Sequence, residues 1–356
     1  MAEIHAGLRG NGIDATLVPA EKFSEVFSAP IQGPYFVVDG NHGAYFPAPV
    51  PKFSFMMDHP CWKPEYLDRG HPTVERLGWV DASHPAAAAA IGLKYRSSFC
   101  PHAGPDPAAS PLPMQERDID VLFAGGLRES SNRARWIAEH PGAAPVLADL
   151  IFDTAEAVEQ SLDPVVPLFM QVCAQHGVDI AQSFSRPAFC AIISDILAMA
   201  EGNRRNRVLA ALPAGFRIAV AVGTLPAELR DRGDITHLGY IGDFAAIRRL
   251  MGRAKIVLNT TGKFPQGSHE RIWYAMAEHA AVVTDQSRFM EQDFVDGDTI
   301  RYLPLGPVTP EHLADLRDLC ADTARLQAQA DAAREIYRAK HTWKERAQLI
   351  LAAMRN

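Results

Sequence analysis

The sequence predicts an α/β chain with two parallel sheets, and three observations predict it. The chain has 356 residues, more than one hydrophobic core usually supports, so two domains with a ligand cleft between them are expected. Its amino-terminal part carries short apolar runs broken by Gly, Pro and polar turns, the pattern of buried parallel strands. Past residue 215 similar runs alternate with helical segments, which points to a second parallel sheet.

The elements follow in order. "DATLVP" (14–19), "YFVVDG" (35–40), "KFSFMMD" (52–58), "RLGWVD" (76–81) and "SSFCPHAG" (97–104) read as strands of the first sheet. Pro-rich "PHAGPDPAASPLPMQ" (101–115) reads as a linker and closes a first domain at residues 1–115. "DIDVLFAGG" (118–126) is a strand running into Gly125 and Gly126, with a helical segment soon after. That order begins many phosphate sites, although two adjacent glycines equally make a tight turn. Residues 131–211 space apolar side chains three and four apart, as in Phe189, Ile192, Ile193, Ile196 and Leu197, and predict a helical layer inside a second domain at 116–335. Strands and helices then alternate through "FRIAVAVGT", "THLGYIG", a helix near 243–252, "KIVLNT", a further helix and "AVVTD". Leu313, Leu316, Leu319 and Leu326 keep helical spacing, and residues 336–356 predict a last helix packing back across the domains.

Composition narrows the function classes. At 47% hydrophobic and 22% charged residues the chain is ordinary for a globular protein rather than a disordered one. The net charge of −7 and the lack of any block of five like charges argue against a nucleic-acid partner or a polybasic membrane patch. A small anion held by a few local basic groups stays compatible. Five scattered cysteines with no C-x-x-C pair fit neither a disulfide framework nor a zinc knuckle. The amino terminus lacks the regions of a secretory signal, and no apolar run approaches the roughly 20 residues of a membrane span. A cytoplasmic protein is expected, with peripheral membrane contact left open.

Ligands of parallel sheets gather at the carboxyl ends of the strands. "NTTGKFPQGSHER" (259–271) should overhang that edge, with Asn259 at its start and Ser268 as the N-cap of the next helix. The free N–H groups of that helix start favour a phosphate, to which Lys263, His269 and Arg271 can add cationic bonds. Glu270 suits acceptance of hydrogen bonds from sugar hydroxyls. From these residues alone, a surface helix start of mixed charge is the plainer reading. In the first domain, Asp58 and His59, then Asp81 and His84, then His102 close three neighbouring strands. Such groups can supply a general base for a hydroxyl, though each also reads as a turn or capping residue. None stands at the spacing of a tight metal site, so no metal is expected.

Taken together, "FSFMMDHP", "GWVDASH", "FCPHAG", "RDIDVLFAGG", "IVLNTTGKFPQGSHERIWYAMAEHAAVVTD" and "HTWKERAQLIL" resemble the bacterial CgeB-like glycosyltransferases. These are related to glycosyltransferase family 4 and the GT-B fold, in which two Rossmann-like domains face each other across a cleft. The resemblance implies a metal-independent, hexosyltransferase-type enzyme of glycan, glycolipid or glycoprotein synthesis that needs no cofactor. It would move sugar from a nucleoside-diphosphate donor to a carbohydrate, lipid or protein hydroxyl. Gly125, Gly126, His269, Glu270 and Arg271 would meet the donor, while Asp58, His59, Asp81, His84 and His102 would line the acceptor side. Tyr274 stands where better-studied relatives carry the Glu that holds the ribose. Glu270 and Glu278 have the E-x7-E spacing of one retaining group, which we read as coincidental because Tyr274 breaks the surrounding motif. "AEHAAVV" departs from the usual "ACGAVV" by losing a helix-ending glycine. A nucleotide-sugar epimerase of the same fold, or a noncatalytic nucleotide-sugar-binding protein, is the alternative.

Overall fold

The structure, a computed structural model, describes residues 1–19, 22, 35–40, 49–62, 64–262 and 264–355, the Tyr66 side chain excepted. The chain divides into two compact units, residues 1–106 with 339–356 and residues 107–338. The division falls before the expected residue 115 because the rest of the Pro-rich stretch is fastened to the second unit. Ala108 N–H donates to the Ala277 carbonyl at 2.8 Å. Arg117 bonds the carbonyls of Leu112 and Ala254 at 3.0 and 2.7 Å.

In the first unit β1 (Val37–Gly40), β2 (Lys52–Met56), β3 (Glu75–Trp79) and β4 (Arg96–Phe99) pair in parallel and in sequence order. The run 14–19 forms no strand. The Ala15 carbonyl is instead bonded by the His5 ring at 3.0 Å, and Pro19 ends the run. The helix Trp343–Arg355 completes this unit. Gly104 N–H reaches the His341 carbonyl at 3.1 Å and Trp343 N–H returns to Gly104 at 3.0 Å. The Trp343 ring meets Phe55 edge-on at 5.3 Å. On its other side the helix Ala2–Gly10 approaches so closely that a Cβ on Gly7 would lie 2.4 Å from the Trp343 carbonyl oxygen.

Gly78 makes a similar demand inside the sheet, where a Cβ would lie 2.2 Å from Phe53 Cζ and 3.1 Å from Cys100 Cβ. Gly78→Ala is therefore expected to cost about 1–3 kcal/mol by overpacking, read as a lower denaturant midpoint at unchanged slope.

The second unit holds β5 (Ile119–Ala124), β6 (Ile218–Ala221), β7 (Ile235–His237), β8 (Ala254–Leu258), β9 (Ala281–Asp285) and β10 (Arg301–Leu303). They form one parallel sheet in the order β10-β9-β8-β5-β6-β7, the strand order of a doubly wound dinucleotide-binding fold. Successive residues of a strand face opposite ways. Accordingly, Val121, Phe123, Val220 and Leu258 pack with Val208, Leu209 and Leu316, while Leu122, Ala219, Val257 and Val282 pack with Trp273, Tyr274 and Tyr337. Both faces are covered, which is why these strands read as continuous apolar runs.

The expected helical layer is present as Arg133–Glu139, Pro145–Gln160, Val165–Gln175 and Arg186–Ala211, with a short turn at Ile180–Ser183. Asn132, Asp179 and Ser185 cap these starts through their side chains, and prolines occupy first-turn positions where their missing N–H costs nothing. At the end of the helix Glu270–Ala277, His279 adopts φ 61. Ala280 N–H then reaches the Ala275 carbonyl at 2.9 Å, so the helix ends in the turn a glycine would make. A side chain there costs roughly 1–2 kcal/mol, offset by a hydrogen bond between the His279 ring and Asp331. Among the described residues, no helix is long and apolar enough to cross a membrane.

Candidate functional site

In the second unit the strand order reverses between the parallel neighbours β5 and β8, and the crevice at the carboxyl ends of such a pair is where doubly wound folds bind ligands. β5 ends at Ala124, followed by Gly125 and Gly126, and β8 runs into Asn259, Thr260 and Thr261. Two arginines converge here. Arg271 comes from the first turn of the helix Glu270–Ala277, and Arg205 from the long helix Arg186–Ala211. Their guanidinium carbons lie 5.9 and 6.0 Å from the centroid of the Phe123 ring, within cation–π range.

Gly125 lies against Arg271: a Cβ there would sit 2.4 Å from Nη1 and 3.2 Å from Cζ, so any side chain at this position must move the guanidinium. Arg271 Nε donates to Asn259 Oδ1 at 3.0 Å, and Asn259 Nδ2 donates to Thr284 Oγ1 at 2.9 Å. Arg205 donates from Nε to Thr260 Oγ1 at 3.1 Å, from Nη1 to the Gly126 carbonyl at 2.8 Å, and from Nη2 to Glu201. Burial first, and then the neighbouring Arg205 charge, push the Arg271 guanidinium down to about 9. Its buried Nη2 has no hydrogen-bond partner among the described residues. A buried unsatisfied donor on a cation is costly, and an anion would satisfy it. The glycine loop is held from behind, since Asn206 Nδ2 donates to the Arg128 carbonyl at 2.8 Å and Ser131 N–H to Asn203 Oδ1 at 2.9 Å.

The other sequence candidates fall into distinct roles. His269, not Ser268, is the N-cap: its Nδ1 accepts Arg271 N–H at 3.2 Å, which requires that nitrogen to be unprotonated. Ser268 is wholly buried and accepts from Trp273 Nε1 at 3.0 Å, because the indole beneath the helix needs an acceptor. Asn259 is likewise buried and orients Arg271. Tyr274 sits in the core with its ring 5.0 Å from Phe244. Glu270 opens the helix beside Arg271 and favours its charged form. Lys263 lies outside the described residues.

In the first unit His59 and His84 come together at strand ends, ring centroids 5.0 Å apart and edge to face. His84 also meets Trp79 at 5.8 Å, and His102 meets Phe55 at 5.6 Å. Asp81 is fully buried, and its Oδ1 accepts both the Ser83 N–H at 2.8 Å and the Ser83 hydroxyl at 2.5 Å, a turn role ahead of the helix His84–Ala90. Asp58 is half-buried, more open than His59, Asp81, His84 and His102. Among the described residues no group of three His, Cys, Asp or Glu is placed to hold a metal ion.

Glu201, Arg204 and Arg205 were not singled out by sequence reasoning. The signal was "EGNRRNR" (201–207) continuing an apolar helix, since charges on a buried helix need partners. Arg204 is bound by Asp285 at 2.7 Å and by the Gly306 and Pro304 carbonyls at 2.7 and 2.8 Å.

Residues 204–352, less than half of the chain, match a family model described as glycosyl transferase-like. No curated protein matches. Three solved structures are similar at low identity. A glycosyltransferase involved in avilamycin A biosynthesis, AviGT4, is 14% identical over 96% of this chain and 79% of its own, with a TM-score of 0.47. A sucrose-phosphate synthase from Thermosynechococcus elongatus is 13% identical over 86% of this chain and 67% of its own, TM-score 0.45. TarM is 9% identical over 86% of this chain, TM-score 0.45, and this chain spans 55% of its length.

Proposed function

We propose that the protein is a glycosyltransferase that moves a sugar from a nucleoside diphosphate to an acceptor hydroxyl. The observation that carries the reading is the paired Arg205 and Arg271 at the reversal point of a doubly wound sheet, with a buried Arg271 N–H left unsatisfied. The glycosyl transferase-like match, which spans both arginines and the helix start, supports the same reading. The chemistry follows from charge. Negative charge develops on the diphosphate as the glycosidic bond breaks, and fixed donors aimed at it lower the barrier. The buried Arg271 N–H that has no partner among the described residues is a fixed donor for that charge, so the arginines can meet it and transfer is expected to persist in a chelator. Glu270, beside Arg271, would accept hydrogen bonds from the donor sugar.

If transfer inverts the anomeric centre, the acceptor hydroxyl needs a base, and Asp58 is our candidate, because it is half-buried where His59, Asp81 and His84 are buried. Asp58→Asn is then expected to lower kcat by about 10²–10⁴-fold with nucleotide affinity unchanged.

Gly125→Ala tests the cradle without removing a charge. The added methyl displaces the guanidinium, so nucleoside diphosphate affinity should fall by about tenfold or more, measured by titration calorimetry. The activity itself is tested by following nucleoside diphosphate release from a panel of nucleotide sugars, with hydroxylated acceptors and EDTA present. Acceptor-dependent release supports the proposal. Nucleotide binding without release under any acceptor would make the chain a binding protein, and acceptor-independent interconversion of sugars would make it an epimerase.

A further inference from the structure

Phe123 is the last large side chain of β5 before the glycine loop, and it is fully buried. It shares a sheet face with Val121 and packs with Val220 and Leu258, so strand alternation alone accounts for an apolar residue here. Packing of that kind does not call for an aromatic ring.

What a ring adds is a negative face. Arg271 and Arg205, from two different helices, bring their guanidinium carbons to 5.9 and 6.0 Å from its centroid. Burial, and then the Arg205 charge, disfavour the Arg271 cation, so the pair has to be held together against its own repulsion. Hydrogen bonds hold the two unequally. Arg205 is tied at all three nitrogens, to Thr260, the Gly126 carbonyl and Glu201. Arg271 donates from Nε to Asn259 at 3.0 Å, while its buried Nη2 has no partner among the described residues. The ring also bounds the space open to Arg271: Phe123 Cζ lies 3.6 Å from the point where a Gly125 Cβ would stand, and Nη1 crowds that same point at 2.4 Å.

We propose that Phe123 is a positioning residue whose ring face holds the two guanidinium groups side by side before an anion arrives, keeping Arg271 Nη2 available at the β5–β8 crevice. An anion that meets an assembled pair need not overcome the repulsion between its halves, which is affinity gained by preorganisation. That the anion is a nucleoside diphosphate rests on the function proposed above; the hold on Arg271 does not.

The test keeps the full chain and alters the charge of the ring at nearly constant size. Replacement of Phe123 by 3-fluoro- and 3,5-difluorophenylalanine weakens the negative face in steps and adds nothing at Cζ, the atom towards Gly125. Phe123→Leu removes the face altogether, and thermal melting reports the packing cost of each change. UDP, GDP, ADP and inorganic pyrophosphate are titrated calorimetrically in EDTA. The Nε–H signal of Arg271, identified by its loss in Arg271→Lys, is followed by NMR in the ligand-free protein.

Affinity for the anion that binds is expected to fall with each fluorine, by about two- to fivefold at the difluoro ring, with melting unchanged and Phe123→Leu weaker still. The Nε–H signal, narrow and displaced by the ring in the wild type, should broaden in the same order as the guanidinium gains freedom. Broadening with no binding of any of the four anions would keep Phe123 as the residue that holds Arg271 and would remove the diphosphate reading instead. Affinities and an Nε–H signal that both ignore fluorination, with Phe123→Leu changing the melting temperature alone, would overturn the proposal and leave Phe123 a core residue.

Discussion

Arg271→Ala is expected to lower nucleoside diphosphate affinity by about 10- to 150-fold, the effect of losing one to two charge-assisted hydrogen bonds. The stability of the ligand-free protein should be unchanged or slightly higher. Arg271 is held charged against burial and against Arg205, so the folded state bears an electrostatic cost that a bound anion offsets and that alanine removes. Arg271→Lys should recover only part of the affinity, because an ammonium cannot both reach Asn259 and present a second planar N–H pair to a phosphate. Calorimetric titration with melting curves separates the two effects. An alanine variant that binds as tightly as the wild type would remove Arg271 from the site.

The opposite pattern is expected of Asp285→Ala. Asp285 is the carboxylate partner of the buried Arg204 and the acceptor for Thr261 N–H, so its loss leaves a buried cation without a counter-charge. Breaking such a pair typically costs about 3–5 kcal/mol, and chemical denaturation should show a loss of that size. Replacing both partners, as Arg204→Met with Asp285→Leu, should recover only part, since the Gly306 and Pro304 carbonyls lose their donor. A variant within about 1 kcal/mol of the wild type would mean that the pair is solvated rather than structural.

Much of this architecture was legible in the sequence because the inner strands of both sheets, such as β2, β5, β8 and β9, are buried and read as largely apolar runs. The helix starts were legible where a short polar residue precedes them, as at Asp243, which accepts from Ala245 N–H at 2.9 Å. Where the reading failed, a tertiary contact had decided the matter. Ser268 has the chemistry of an N-cap, but the indole of Trp273 claims its hydroxyl and the next residue caps instead. The run 14–19 has strand-like residues, yet the His5 ring rather than a neighbouring strand takes its Ala15 carbonyl. His279 reaches a glycine's conformation through a hydrogen bond to Asp331, 52 residues away in sequence. Half of the cradle was visible as Gly125, Gly126, Asn259 and Arg271. The other half, Arg205 and Glu201, arrives from a helix whose periodicity speaks only of packing.

The central claim is that a nucleoside diphosphate binds at the β5–β8 crevice against Arg271. Titration of the wild type and of Gly125→Ala with UDP, GDP, ADP and dTDP in the presence of EDTA tests it most directly. The account predicts one site per chain for at least one of these nucleotides, weakened about tenfold or more by a single methyl group that removes no charge. Binding that is indifferent to that methyl group, or no binding of any of the four, would contradict it.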